Sequence, residues 1–219
     1  MDERAWDLLV QGCEQARDQF FDSLGTNGQK INPIITYAFR GFPAWPVRDC
    51  WHIVQRPNST LIFSDGLSDP YRDGRPSIGL EVVVETAHCL PDFNSVTSSW
   101  AYELVFQASF YIAGNPSLRS SLEEKRSATV EFQHVRAPSD YLTSRNTIGT
   151  LLTFGGHNIP ERITLPENDA RVLVVTPLLV KELADACGEN RTDVIGMLLS
   201  ELPRRGYHHF CHDSREPVS

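Results

Sequence analysis

Long apolar runs are missing from this chain. None approaches the roughly 20 consecutive apolar residues that a membrane-spanning helix needs, and the opening Met1-Asp-Glu-Arg-Ala-Trp6 has no apolar signal core. The expectation is a cytoplasmic protein with no membrane partner. Cysteine is sparse: five residues, at 13, 50, 89, 187 and 211, odd in number and without a C-x-x-C pair. That pattern argues against a disulfide framework and for reduced thiols. Basic residues are in the minority, 20 Lys and Arg against 28 Asp and Glu, for a formal net charge of −8. Phosphate-backbone binding relies on clustered basic side chains, so a nucleic-acid partner is not expected. The Arg204-Arg205 pair is too small a patch to change that. Neither a G-x-S-x-G nucleophile elbow nor a G-x-G-x-x-G phosphate loop occurs, and no cofactor is called for. No linker or internal repeat divides the 219 residues, so one domain over 1–219 is expected, with its core at about 30–213.

The periodicity predicts alternating helices and strands. Trp6, Leu9, Val10, Cys13, Ala16, Phe20 and Leu24 recur at three- and four-residue steps, which marks an amphipathic helix over 2–24, with Asp2 as cap and Gly25 as stop. Residues 34–40 read as a strand broken by the Pro43-Ala-Trp-Pro46 corner. Residues 50–55 and 60–64 read as a hairpin around Arg56-Pro57-Asn58. In the strand at 78–86, Leu80, Val82 and Val84 share one side, with Glu81, Val83 and Glu85 opposite. A helix over 95–113 follows, ended by Gly114-Asn115-Pro116, then strands at 129–135, 148–154 and 171–175. Thr176-Pro177 is expected to open a helix, and a further helix covers 191–201. Tyr207–His212 is expected as an edge strand. Short turns between neighbouring strands argue for an α+β fold with a mixed, mostly antiparallel sheet and helices packed on it.

Two segments carry chemistry. The first is the loop Ile62-Phe-Ser-Asp-Gly-Leu-Ser-Asp-Pro-Tyr-Arg-Asp-Gly-Arg-Pro76, dense in aspartate, glycine and proline between two apolar strands. Loops presented by a rigid scaffold are frequent carriers of function. Aspartates also stabilise tight turns by accepting from nearby backbone N–H groups, which is the reading for Ser68-Asp69. A calcium site lacks the EF-hand spacing and terminal glutamate. The second segment is Tyr207-His-His-Phe-Cys-His212. As a strand it would place His208 and His212 on one face and His209 and Cys211 on the other, two ligands per face where zinc needs about four. Gly155-Gly156-His157 reads as a turn rather than an oxyanion loop. Among the tryptophans, Trp45, held between Pro43 and Pro46, is expected to be the exposed aromatic, and Trp51 and Trp100 core residues.

The order of these pieces resembles the N-terminal globular domain of the Suppressor of fused family and its bacterial single-domain relatives. The resemblance rests on Gly66-Leu-Ser-Asp-Pro-Tyr-Arg-Asp73, followed by Ile78-Gly-Leu-Glu-Val-Val-Val84, Trp100, Phe110-Tyr-Ile112, Ile148–Thr153 and Val172–Pro177 leading to Glu182-Leu183. It implies a non-enzymatic protein that binds another protein. In animals the family sequesters zinc-finger transcription factors, and its bacterial relatives include immunity proteins that neutralise toxins. The family places the second acid of this string, Asp73 here, at the partner site; an upstream tyrosine of the family falls near Ile62, where this chain is apolar. The residues expected to meet a partner are Asp69, Tyr71, Asp73 and Arg75, with Trp45 beside them. The competing readings are a metal-dependent hydrolase using His208, His209, Cys211 and His212, and a homodimeric structural module.

Overall fold

Two glutamates on an otherwise apolar strand set the problem this fold solves: its central sheet is buried on both faces. The computed structural model describes residues 2–115, 117–188 and 191–218, with the backbone alone at residue 27. Helix α1 (Glu3–Leu24) begins where the Asp2 carboxylate accepts from the Arg4 N–H at 2.8 Å, and ends at Gly25, as the periodicity predicts. It turns Cys13, Arg17 and Phe21 inward at four-residue steps. Strands β1 (Thr26–Ile31), β2 (Trp51–Arg56), β3 (Ser59–Ser64) and β4 (Leu80–Thr86) form an antiparallel run. Helices α2 (Phe93–Thr97), α3 (Trp100–Gly114) and α4 (Leu118–Lys125) follow. Then come β5 (Ser127–Gln133), β6 (Thr147–Phe154), β7 (Arg162–Ile163) and β8 (Ala170–Leu178), and the helices α5 (Val180–Ala186) and α6 (Arg191–Arg204).

The sheet runs β1-β2-β3-β4-β8-β6-β5, with β7 added against β8. Among the described strands, β4 and β8 alone pair in parallel, so the expected α+β class with a mostly antiparallel mixed sheet is what the chain adopts. On one face, Leu80, Val82 and Val84 pack with Trp51, Ile53 and Ile62 under Leu104, Val105 and Ala108 of α3. On the other, Val54, Leu61, Phe63, Val83, Val172 and Val174 lie under Cys13 and Phe21 of α1. A third cluster joins Leu151 and Leu178 to Leu183, Leu198 and Leu202 of α5 and α6. The alternation expected for β4 is borne out, and both of its sides are covered.

Several local expectations are corrected. Residues 34–40 are not a strand. The Tyr37 N–H donates to the Asp49 carboxylate at 2.6 Å, and a 3-10 turn spans Tyr37–Arg40, while Thr26–Ile31 takes the edge of the sheet. The helix over 95–113 is two helices, because the Ser99 hydroxyl accepts from the Tyr102 N–H and starts a new one. Pro177 opens no helix: β8 continues to Leu178. Strand β4 pairs with β8 only as far as Val174, so proline's missing donor costs nothing on that side. The strand expected at 129–135 is β5, and α4 was not foreseen. Tyr207–His212 is a turn that touches the sheet through one bridge, Thr86 to Cys211. His208 there adopts a φ of 49°, which a strand does not allow. Pro116, part of the expected stop after α3, lies outside the described residues.

The end of the chain is pinned by charge. Glu182 of α5 and Arg215 are an ion pair at 2.5 Å with side chains 0% and 1% exposed. The same carboxylate accepts from the Leu179 and Val218 N–H groups, and Arg215 also donates to the Pro177 carbonyl. Breaking a buried pair by removing one partner strands the other charge. Glu182→Ala is expected to cost about 3–5 kcal/mol in urea unfolding and to expose residues 213–218 to limited proteolysis, while an unchanged midpoint would contradict this role.

Candidate functional site

The segment between β3 and β4 divides sharply: residues 64–69 are buried and residues 72–76 exposed. The inner half is organised around one guanidinium. Arg17, on the apolar face of α1 and 2% exposed, donates from Nε to Asp65 at 2.7 Å and from Nη1 to Asp69 at 2.6 Å, with Glu81 of β4 at 3.8 Å. Glu81 in turn receives the Gly66 N–H (3.1 Å), the Ser68 N–H (3.0 Å) and the Ser68 hydroxyl (2.5 Å) on one oxygen, and the Ser64 hydroxyl on the other. Gly66 is required here: its φ is 141°, and a Cβ would meet the Arg48 carbonyl at 3.0 Å.

A second cation completes the cluster. Lys30 Nζ lies 3.2 Å from Asp65 and 2.9 Å from Asp18, and His52 Nδ1 lies 3.6 Å from Asp65 and 3.7 Å from Asp18. Asp18, His52 and Asp65 are the one group of three among the described residues whose ligand atoms converge, all within 4.8 Å. The ammonium of Lys30 already lies against both carboxylates. Burial works to raise the Asp65 carboxyl, but the His52 contact and the Arg17 and Lys30 charges outweigh it and hold it well below the usual carboxylate range. Burial pushes Glu81 up to about 7 against Arg17 and the serines, and raises Asp69 against Arg17.

The outer half is a preformed polar knuckle. Gly74, with φ 79°, closes a turn by donating to the Tyr71 carbonyl. The Asp73 carboxylate accepts from the Arg75 N–H (3.1 Å) and from Arg75 Nε (2.8 Å), and the Arg75 guanidinium lies over the Tyr71 ring at 4.2 Å. Helix α1 steadies the knuckle from behind, through Trp6 Nε1 to the Pro70 carbonyl at 3.1 Å and an Arg72–Glu3 ion pair. An open cleft of about 430 Å³ runs between Tyr71–Arg75 and the 43–46 corner. The 3-10 turn exposes Phe39 (83%), and the segment before it exposes Ile34 and Ile35 (103% and 57%).

Tyr71, Asp73 and Arg75 are therefore brought together at the surface. Asp69 is buried on Arg17, in keeping with the turn-forming reading of Ser68-Asp69. Trp45 corrects the expectation of an exposed aromatic. It is 5% exposed, because its ring packs against Trp51 and Phe110 at 5.2 and 5.8 Å. The C-terminal histidines do not converge: His209 Nε2 meets Glu85 at 2.8 Å, His212 Nε2 meets the Tyr207 carbonyl at 3.1 Å, and His208 stacks on His157 at 3.8 Å. Gly155-Gly156-His157 belongs to a tight turn in which Gly156 and Ile159 exchange backbone hydrogen bonds, as expected. Sequence reasoning missed Arg17, Lys30, His52 and Glu81 as organisers of the loop. The available signal was Arg17 itself, a charge placed midway between Cys13 and Phe21 on a helix's apolar stripe.

Superposition on solved structures decides the architecture. The Sufu–Fu complex crystal structure matches with a TM-score of 0.58 and 12% identity over 96% of this chain and 92% of that chain. Drosophila Suppressor of Fused matches with a TM-score of 0.60 and 13% identity over 96% of this chain and 51% of that one. This chain has the Suppressor of fused fold. It spans about half the length of the Drosophila chain. No family model and no curated protein matches the sequence. At this identity the likeness establishes the fold alone. Within the fold, the resemblance carried by Gly66–Asp73 falls on the loop that Arg17 and Glu81 organise.

Two outcomes test the cluster. Arg17→Met strands three acids and is expected to lose about 3–5 kcal/mol of stability, with hydrogen-exchange protection lost first across 65–69. The second outcome depends on pH. Glu81 has a folded pKa of about 7 against an ordinary 4.5, so the folded state binds more protons in that window and stability falls as pH rises through it. Relative to Glu81→Gln, the native chain is expected to lose roughly 3 kcal/mol between pH 4.5 and 7. Asp65 acts in the opposite sense: its contribution is lost as pH falls below its ordinary 3.8. Parallel stability–pH curves for the native and Glu81→Gln chains would remove Glu81 from the account.

Proposed function

We propose that this chain is a non-enzymatic protein-binding domain, and more narrowly an immunity protein that neutralises a toxin. Its recognition surface is the outer half of the 64–79 loop together with the exposed 3-10 turn. The observation that carries this is the Tyr71–Asp73–Arg75 knuckle. Its three side chains are already held in one geometry by an ion pair and a cation–π contact, on a loop whose base is fixed by buried charge. Pre-organisation of that kind lowers the ordering cost that association must overcome. Ile34, Ile35 and Phe39 add exposed apolar area to this reading, since large exposed apolar groups mark protein interfaces.

On this reading each residue has a role. Asp73 and Arg75 present both signs of charge to a partner, and Tyr71 offers an amphipathic ring. Asp69 holds the loop from below, and Trp45 forms the floor of the cleft. The solved relative is a complex with a second protein, Fu, and the resemblance set out above supplies the toxin-neutralising role. The net charge of −8 favours a basic partner surface by electrostatic steering.

The test is co-expression with each protein encoded beside this chain, scored for toxicity alone, for growth rescue by this chain and for affinity by calorimetry. Asp73→Arg and Phe39→Asp are each expected to weaken binding by at least tenfold, on the order of 2 kcal/mol, and to abolish rescue without shifting the thermal midpoint. Full rescue by both variants at native affinity would take this surface out of the interface.

A further inference from the structure

Away from the recognition loop, a pocket of about 260 Å³ opens between the β6–β8 face, helix α6 and the C-terminal turn. Leu151 and Val174 of the sheet and Leu198, Leu199 and Leu202 of α6 form its apolar walls, and Thr153, Thr176, His157, His208 and His209 supply its polar atoms. Among the described residues, no aspartate, glutamate, lysine or arginine lines it. The groups lining it there that can take a charge are imidazoles.

Those imidazoles are held in place at a cost. His157 and His208 stack at 3.8 Å with their planes 20° apart. Their backbone neighbourhood is left-handed at three positions, His208 (φ 49°), Asn158 (φ 57°) and Gly155 (φ 66°). Non-glycine residues in that region carry strain and cluster at ligand sites. His208 Nδ1 is buried without a hydrogen-bond partner among the described residues. His209 behind the pair is committed to Glu85, which also receives Ser59 and Arg56. It lies 2.9 Å from where a Gly156 Cβ would sit, so the turn can close only with glycine there.

We propose that this pocket binds a medium-chain monocarboxylate, with its alkyl tail among the leucines and its carboxylate on the His157–His208 pair. The inference is independent of the partner surface. An apolar chamber with a few convergent polar groups is the common form of a small-ligand site. Its volume lies just under the drug-sized range and suits a ligand of roughly ten non-hydrogen atoms. The absence of acids excludes a cationic head group. Stacked imidazoles favour an anion, which removes the repulsion that follows when either ring is protonated.

Proton uptake should accompany binding. Burial and the neighbouring His157, His209 and His212 hold the His208 pKa below its ordinary 6.5, with Glu85 pulling the other way. Arg56 lies on Glu85 in this network, Arg204 and Arg205 follow the lining residue Pro203 in sequence, and the α6 side chains that line the pocket carry no charge. A bound carboxylate favours protonated His208, so affinity should increase as pH falls from 8 to 6.

Sodium octanoate titrated into the full chain by calorimetry and amide-resolved NMR tests this, with octanol as the uncharged control. The expected result is saturable octanoate binding at least tenfold tighter at pH 6 than at pH 8, with shifts centred on residues 151–157 and 198–209. Octanol should bind more weakly and without pH dependence. Leu199→Trp, at a partly exposed wall position, should abolish binding by filling the mouth. His208→Asn, which tolerates the left-handed backbone, should remove the pH dependence and weaken binding tenfold at pH 6. No saturable binding at pH 6, octanol binding equal to octanoate, or native affinity in Leu199→Trp would each overturn the proposal.

Discussion

A single buried guanidinium decides how the most distinctive loop of this protein is shaped. Arg17 reaches from α1 through an apolar layer to three carboxylates, on Asp65, Asp69 and Glu81. Without it, the turn at Gly66–Asp69 would carry uncompensated negative charge next to Glu81, a strand residue that is 0% exposed. With it, the turn is fastened to a helix on one side and to the sheet on the other. Ser68 and Gly66 then take fixed positions, because the Glu81 carboxylate has donors on both oxygens. The outer knuckle inherits that rigidity. Its own contacts are surface contacts, which contribute little individually, so its geometry depends on the buried half.

The same device recurs twice more. Glu85, four residues along β4, receives Arg56 at 3.2 Å together with His209 and Ser59. Glu182 receives Arg215. In each case a buried glutamate on a packed element is met by an arginine from a segment distant in sequence: the N-terminal helix, the β2–β3 hairpin and the C-terminal tail. Well-packed apolar residues would serve stability as well or better, since desolvation offsets much of the attraction in a buried pair. What charge adds is discrimination. A helix held only by Cys13, Phe21 and their neighbours could slide over the sheet, whereas a guanidinium forked between two aspartates fits in one place.

This explains which parts of the structure were legible in the sequence. The alternation of Leu80, Val82 and Val84 against Glu81, Val83 and Glu85 is local, and it survived folding intact. So did α1 with its Asp2 cap, the hairpin at Pro57-Asn58 and the turn at Gly155-Gly156. Apart from the Ser99 cap that splits the 95–113 helix, three misreadings share a cause: tertiary context overrode a local preference. Asp49 draws residues 36 and 37 out of an extended path. Loss of the β4 neighbour lets Pro177 remain in a strand, and Trp51 and Phe110 draw Trp45 inward. At the candidate site, Tyr71, Asp73 and Arg75 were singled out by the resemblance, and the contacts that join them lie only two to four residues apart. The partners of Arg17 lie 48 and 52 residues away, and no periodicity encodes that separation. Only the oddity of an arginine on an apolar stripe hinted at it.

The two candidate sites lie at opposite ends of one strand. Glu81 anchors the 64–79 loop at the start of β4, and Glu85 anchors His209 near its end, roughly 13 Å further on at the rise of an extended strand. Proximity on a shared element is sometimes taken as a route for communication. The packing argues the other way. Strand β4 is buried along its whole length, paired with β3 and β8, and covered by α3 on one face. Coupling between sites needs an element with two discrete arrangements, and a strand so enclosed has one. Sites separated by more than about 10 Å with no shared partner behave additively. Glu81 and Glu85 share none: their arginines, serines and loops are all different. The charge-lined strand therefore works as a rigid spacer. It lets the outer knuckle change in sequence without disturbing the histidine pocket, and the pocket fill without reshaping the knuckle.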